Sequence, residues 1–118
     1  MKLNILRPLL ILILPLVSTS LAEAHAFLDH ASPRVGSTVH PAPAQVELWM
    51  TEDLEPAFTK IKVLDSTGAE VDKKDAAISG STMIVSLPSL PPGVYKVVWK
   101  AVAVDTHVTT GDFTFTVN

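Results

Sequence analysis

Beyond residue 25, apolar and polar residues alternate at period two in short runs, and no stretch reads cleanly as a helix. In "AQVELWM", Ala44 to Met50, the apolar Val46, Leu48 and Met50 alternate with Glu47 and Trp49. In "KIKVL", Lys60 to Leu64, Ile61 and Val63 alternate with Lys60 and Lys62. These patterns predict half-buried strands, as does "TMIVSL", Thr82 to Leu87. Asp65-Ser66-Thr67-Gly68 reads as a turn, and "PSLPPG", Pro88 to Gly93, as a rigid connection. The longest run follows: in "VYKVVWKAVAV", Val94 to Val104, residues Tyr95, Val97, Trp99, Ala101 and Ala103 share one face, opposite Lys96 and Lys100. "DFTFTV", Asp112 to Val117, predicts a last strand with Phe113 and Phe115 on one side. About seven short strands, a Trp suited to the core and a Tyr just after a glycine turn predict an all-β fold, an immunoglobulin-like Greek-key β-sandwich.

The N-terminus breaks the pattern. Lys2 and Arg7 precede an apolar run, "PLLILILPLV" from Pro8 to Val17, and "STSLAEA" closes it with small residues. That order is the signature of a secretory signal peptide; the run is shorter than the ~20 apolar residues of a membrane span. The expected division is a leader over residues 1–24 and a domain over residues 25–118, with His25 the first mature residue. A cut after Ala22 also satisfies the small-x-small rule and would start the chain at Glu23. Such a leader predicts export from the cytoplasm.

Removing residues 1–24 leaves 94 residues with seven basic and eleven acidic side chains, enough for one domain with a modest core. No basic patch with interleaved aromatics is evident, so no nucleic-acid partner is expected. The chain has no cysteine. Stability therefore comes from packing, and any metal chemistry must use nitrogen, oxygen or methionine sulfur. No long apolar surface run predicts self-association, and a monomer is the default.

The polar residues that the fold does not require are few. "DTH", Asp105-Thr106-His107, follows the Trp99 strand, and continued strand geometry would turn Asp105 and His107 to the same side. On spacing alone, the same residues also describe a turn-forming Asp beside a surface His. An N-terminal His25 adds a free α-amine beside its own imidazole. With His107 and Asp105 this makes an N,O donor set suited to tetragonal Cu(II), the top of the Irving-Williams order. The α-amine, with an ordinary pKa of ~7.7 to 8.0, must lose its proton to bind, so affinity should weaken as pH falls. Glu52, one of three acids in "TEDLEP", is either a solvated carboxylate or a partner orienting the amine or a bound water. His30 and His40 read as surface residues, Met50 and Met83 as strand packing, and Trp49 and Trp99 as packing groups. A start at Glu23 would put a histidine third and offer a different, square-planar chelate.

"HAFLDHASPRVGSTVHPAPAQVELWMTEDLEP" and "LPPGVYKVVWKAVAVDTHVTTGDFTFTV" together resemble the periplasmic copper-binding proteins of the CopC type. The second stretch is the more specific, with Gly-x-Tyr-x-Val-x-Trp, then Asp-x-His and Gly-x-x-x-Phe. The resemblance implies a β-sandwich holding one Cu(II) ion through His25, Asp105 and His107, with Glu52 nearby, and a copper-transporting inner-membrane protein as partner. It also implies a role in copper resistance or homeostasis and no enzymatic activity. Some members carry a methionine-rich loop for Cu(I); Met50 and Met83 stand isolated here, which points to a Cu(II)-only form. Two other classes fit parts of the sequence: a copper-dependent oxidative enzyme with a histidine brace, and a sandwich module for which metal is irrelevant.

Overall fold

The structure, a computed structural model, describes residues 26–118. Eight strands follow one another: β1 (Leu28–Ser32), β2 (Thr38–Val39), β3 (Gln45–Met50), β4 (Lys60–Leu64), β5 (Ala77–Ser79), β6 (Thr82–Ser86), β7 (Gly93–Val102) and β8 (Val108–Val117). They form two four-stranded sheets, in the orders β1-β3-β6-β5 and β2-β8-β7-β4. All pairings are antiparallel except β2 with β8. The all-β sandwich is thus as the alternation predicts, with one strand more than expected. The three shortest or least alternating strands, β1, β2 and β5, carry no clear period-two signal of their own.

The core lies between the inner faces. Val46 and Leu48 of β3 and Met83 and Val85 of β6 face Val63 of β4, Val97 of β7 and Phe115 of β8, all fully buried. Each such side chain contributes about 1.5 to 3 kcal/mol relative to an exposed one. On β7 the predicted face is inward, with Tyr95, Val97 and Ala101 buried and Ala103 buried just past the strand's end, while Trp99 is only half-buried. Trp99 lies flat over Gly111, its cross-strand partner: a Cβ there would stand 2.2 Å from Trp99 Cζ2. Glycine at that position is what lets the indole cover the sheet. At the far end of the hairpin, the Tyr95 hydroxyl donates to the Pro91 carbonyl and ties the proline-rich connection to the sandwich.

The two largest departures from the expected strand limits both concern the hairpin tip. β7 stops at Val102 and β8 already begins at Val108, before the predicted Asp112. Thr109 and Thr110 suit a strand but show no apolar-polar alternation to mark one, and they pair with Ala101 and Lys100 because β7 supplies a ready edge. Asp105 and His107 therefore sit in a tight turn rather than on a strand.

Candidate metal centre

The turn joining β7 and β8 is closed by its backbone. The Ala103 amide donates to the His107 carbonyl at 2.9 Å and the Thr106 amide to the Ala103 carbonyl at 2.8 Å. Thr106 adopts a left-handed conformation with φ of 74°. Strand geometry does not carry Asp105 and His107 to one side, as the sequence pattern supposes. Instead the Asp105 side chain folds back as an Asx turn, Oδ1 accepting the His107 amide at 3.2 Å. The same fold-back brings Asp105 Oδ2 to 3.1 Å from His107 Nδ1. Two cis donors about 2.0 Å from a metal stand about 2.8 Å apart, so the pair has a separation close to that of neighbouring ligands.

Both side chains are partly exposed at the molecule's end, 38% for Asp105 and 51% for His107. The hydrogen bond from the His107 ring, and then that from its amide, hold the Asp105 carboxyl below its ordinary value; what burial there is opposes them. The shift favours the ionised carboxylate, the form a metal requires.

The segment holding Glu52 is clamped to this turn. Leu54 bridges to Ala103, the Val104 amide donates to the Asp53 carbonyl at 3.1 Å, and the Glu55 amide to the Val102 carbonyl at 2.8 Å. Glu52 is half-buried within that clamp.

The start of the described chain converges on the same place. Ala26 is fully buried, and its carbonyl accepts a hydrogen bond from the Thr109 hydroxyl, two residues past His107. The Phe27 amide donates to Thr51 Oγ1 at 2.9 Å, and the Thr51 amide returns a bond to the Phe27 carbonyl at 2.8 Å. Residues 26 and 27 are therefore strapped between Thr109 and Thr51, and Thr51 immediately precedes Glu52. His25 itself lies outside the described residues, as does the leader expected over residues 1–24.

Among the described residues, no three His, Asp or Glu side chains form a cluster able to hold a metal. Asp105 and His107 supply two donors. The other histidines are elsewhere and have local roles. His30 stacks on Trp49, ring centroids 4.3 Å apart and planes within 7°, on the outer face of the first sheet, with Asp29 Oδ2 at 2.6 Å from its Nδ1. His40 Nδ1 lies 3.0 Å from the Asn118 backbone oxygen. Both are exposed, as expected of surface residues. Met50 and Met83 are buried in the core, as their isolation in strands suggests. Thr51 and Thr109, the two residues that strap the N-terminal segment, carry no distinguishing signal in the sequence. Threonine is common in strands, and only the tertiary pairing gives these hydroxyls their role.

Comparison with known proteins agrees with the fold. The CopC domain matches residues 28–118. Copper resistance protein C of Pseudomonas syringae pv. tomato is 37% identical over 108 residues, covering 84% of this chain and 85% of that one. Copper transport protein CutJ of Bacillus subtilis is 38% identical over 98 residues, which are 80% of this chain but only 18% of that much longer protein. Among solved structures, CopC from Methylosinus trichosporium OB3b has a TM-score of 0.71 at 34% identity, over 80% of this chain and 94% of that one. PcoC of Escherichia coli, described as a methionine-rich copper resistance protein, has a TM-score of 0.71 at 32% identity, over 80% and 100%. The chain belongs to the CopC family, whose members named here are copper resistance and copper transport proteins.

Proposed function

We propose that this chain is a periplasmic carrier or buffer of Cu(II), exported by its leader and binding one ion at the end of the sandwich. The α-amine and imidazole of His25, the His107 imidazole and the Asp105 carboxylate form the donor set, and Glu52 orients the amine or a bound water. The observation that carries this reading is convergence. The Asp105–His107 pair and the buried Ala26 segment meet at one end, tied there by Thr109 and Thr51. A nitrogen-rich set with one carboxylate suits Cu(II), and the buried packing of Met50 and Met83 leaves no described thioether for Cu(I).

Exposure of the pair favours transfer over catalysis. A partly open site at a hairpin tip lets an ion pass to a partner, and a copper-transporting membrane protein is the natural recipient. A directly bound Asp105 would occupy a position that oxygen activation needs open, which argues against an oxidative enzyme.

The deciding experiment measures Cu(II) affinity by chelator competition on protein starting at His25 and on the same protein with one extra N-terminal residue. Intact mass of the secreted chain fixes its true start. The expected result is a start at His25 and a loss of at least about hundredfold on extension, since the added residue removes the amine chelate. Equal affinity of both forms would sink the proposed donor set.

A further inference from the structure

The outer face of the second sheet concentrates positive charge. Of the seven Lys and Arg residues in the described chain, four point outward here: Lys60 and Lys62 on β4, Lys96 and Lys100 on β7. Of the eleven Asp and Glu residues Asp112 of β8 shares the face, 4.0 Å from Lys96, and Glu70 and Asp72 border it along the β4 edge, where they line a pocket with Lys60 and Lys62. A chain with formal net charge of -3 thus presents one strongly cationic surface.

Fold requirements account for only part of this. Lysines on an edge strand discourage edge-to-edge pairing, which explains Lys60 and Lys62. β7 lies inside its sheet, between β8 and β4, so Lys96 and Lys100 serve no such purpose. Lys100 stands directly across from Lys60, and neither they nor Lys62 form a salt bridge among the described residues. Like charges placed opposite each other destabilise a sheet, so the fold tolerates a repulsion here that an outside anion would relieve.

Between the lysines the surface is apolar. Val98 separates Lys96 from Lys100 on β7, and a shallow groove with an almost wholly apolar lining runs between Lys60, Lys62 and Lys100. Val94 and Val108, both about half exposed, extend the apolar positions to either end of the face. Lysine stems lying along apolar surface, with their ammonium groups free to reach outward, suit the headgroup region of a bilayer.

We propose that this face docks the protein on an anionic membrane surface. Charge acts over only ~8 Å at physiological salt, so the local rather than the net charge governs approach. In that orientation Val108 and the hairpin tip carrying Asp105 and His107 continue one end of the docked face. The proposal stands on the lysine face and does not require copper.

Cosedimentation tests it, using the secreted chain and large vesicles of phosphatidylethanolamine with phosphatidylglycerol, against vesicles of phosphatidylcholine alone. Each lysine close to an anionic surface strengthens partitioning about fivefold. Binding to the anionic vesicles alone is expected, with a loss of about fivefold in Lys100→Gln and at least about hundredfold in the variant with all four lysines changed to Gln. Raising the salt should weaken it, and Lys73→Gln, outside the face, should leave it within about twofold of wild type. Circular dichroism confirms that the variants fold, and the single variant keeps the test decisive if the fourfold one does not. No binding to anionic vesicles, equal binding to both vesicle types, or equal losses in Lys100→Gln and Lys73→Gln would each overturn the proposal. So would capture by an acidic peptide such as oligoglutamate without vesicle binding, which would assign the face to a protein partner.

Discussion

Two regions of the molecule contain the same three residue types in close company. At the hairpin tip, Asp105 Oδ2 lies 3.1 Å from His107 Nδ1, with Trp99 farther down the same hairpin. On the first sheet, Asp29 Oδ2 lies 2.6 Å from His30 Nδ1, and His30 covers Trp49. By hydrogen-bond length, the second pair is the tighter. Yet its imidazole face is used up against an indole on a sheet surface, and no further donor comes near it among the described residues. The first pair sits where a third element, the strapped Ala26 segment, arrives. A carboxylate holding an imidazole is a common local arrangement; a metal centre needs donors from several parts of the chain to meet.

That contrast gives the largest predicted effect. In chelator competition with Cu(II), His107→Ala or Asp105→Ala should lower affinity by more than about hundredfold if each is a direct ligand as proposed. His30→Ala should change it by less than about twofold. A comparable loss in His30→Ala would show that the wrong pair has been assigned to copper.

Residues that act through the ligands come next. Thr109→Val keeps the shape of the side chain but leaves the Ala26 carbonyl buried without its hydroxyl partner. Glu52→Gln keeps the size but removes the charge. Outer partners of metal ligands typically contribute 10–100-fold to affinity, so about tenfold is expected for each. Thr109→Val should in addition lower stability by about 1 to 3 kcal/mol in urea unfolding of the metal-free protein, whereas Glu52→Gln should not. Loss of stability without loss of affinity in Thr109→Val would mean that the strap holds the fold and not the site.

The two tryptophans separate the regions further. Trp49 lies on the outside, under an exposed imidazole, whereas Trp99 covers Gly111 from within. Gly111→Ala would place a methyl group 2.2 Å from the indole, with the sheet backbone on its other side. Displacing so large a ring in a packed region should destabilise the protein by about 1 to 3 kcal/mol, read by urea unfolding. No such penalty attaches to Trp49, and Trp49→Phe should stay within about 1 kcal/mol of wild type, the scale of one ring stacking interaction.

The difference between the regions also explains what could be read from the sequence. The β3, β4, β6 and β7 strands were legible because alternation is a local property: Val46, Leu48 and Met50 must face one way whatever surrounds them. Asp105 and His107 were legible as chemistry but not as geometry. Their spacing suggested a strand, and an Asx turn with Thr106 in a left-handed conformation brings them together instead. β1 and β2 were missed because "LDHAS" and "TV" have no sustained period; they are strands only because β3 and β8 present edges to them. Thr51 and Thr109 were invisible for the same reason, since 24 residues separate Phe27 from Thr51 and 83 separate Ala26 from Thr109.

The smallest predicted effect concerns protons. The Asp105 carboxyl titrates below its ordinary value of 3.8, chiefly through the hydrogen bond from the His107 side chain and then through the His107 amide. A carboxylate with a folded pKa below its unfolded one stabilises the fold at pH above the unfolded value and loses that contribution as pH falls through the folded value. Carbon-detected NMR of the metal-free protein should therefore find the Asp105 midpoint below 3.8, moving back toward 3.8 in His107→Ala but not all the way, because the amide bond remains. Asp65 and Asp75 serve as internal controls. Their carboxyls are also held low, but chiefly by Thr67 and Ser86 respectively, so neither should respond to His107→Ala. If Asp105 stayed put in that variant, the turn backbone alone would set its charge. The imidazole would then be free of the carboxylate in solution, and the pair would come together only when an ion draws both in.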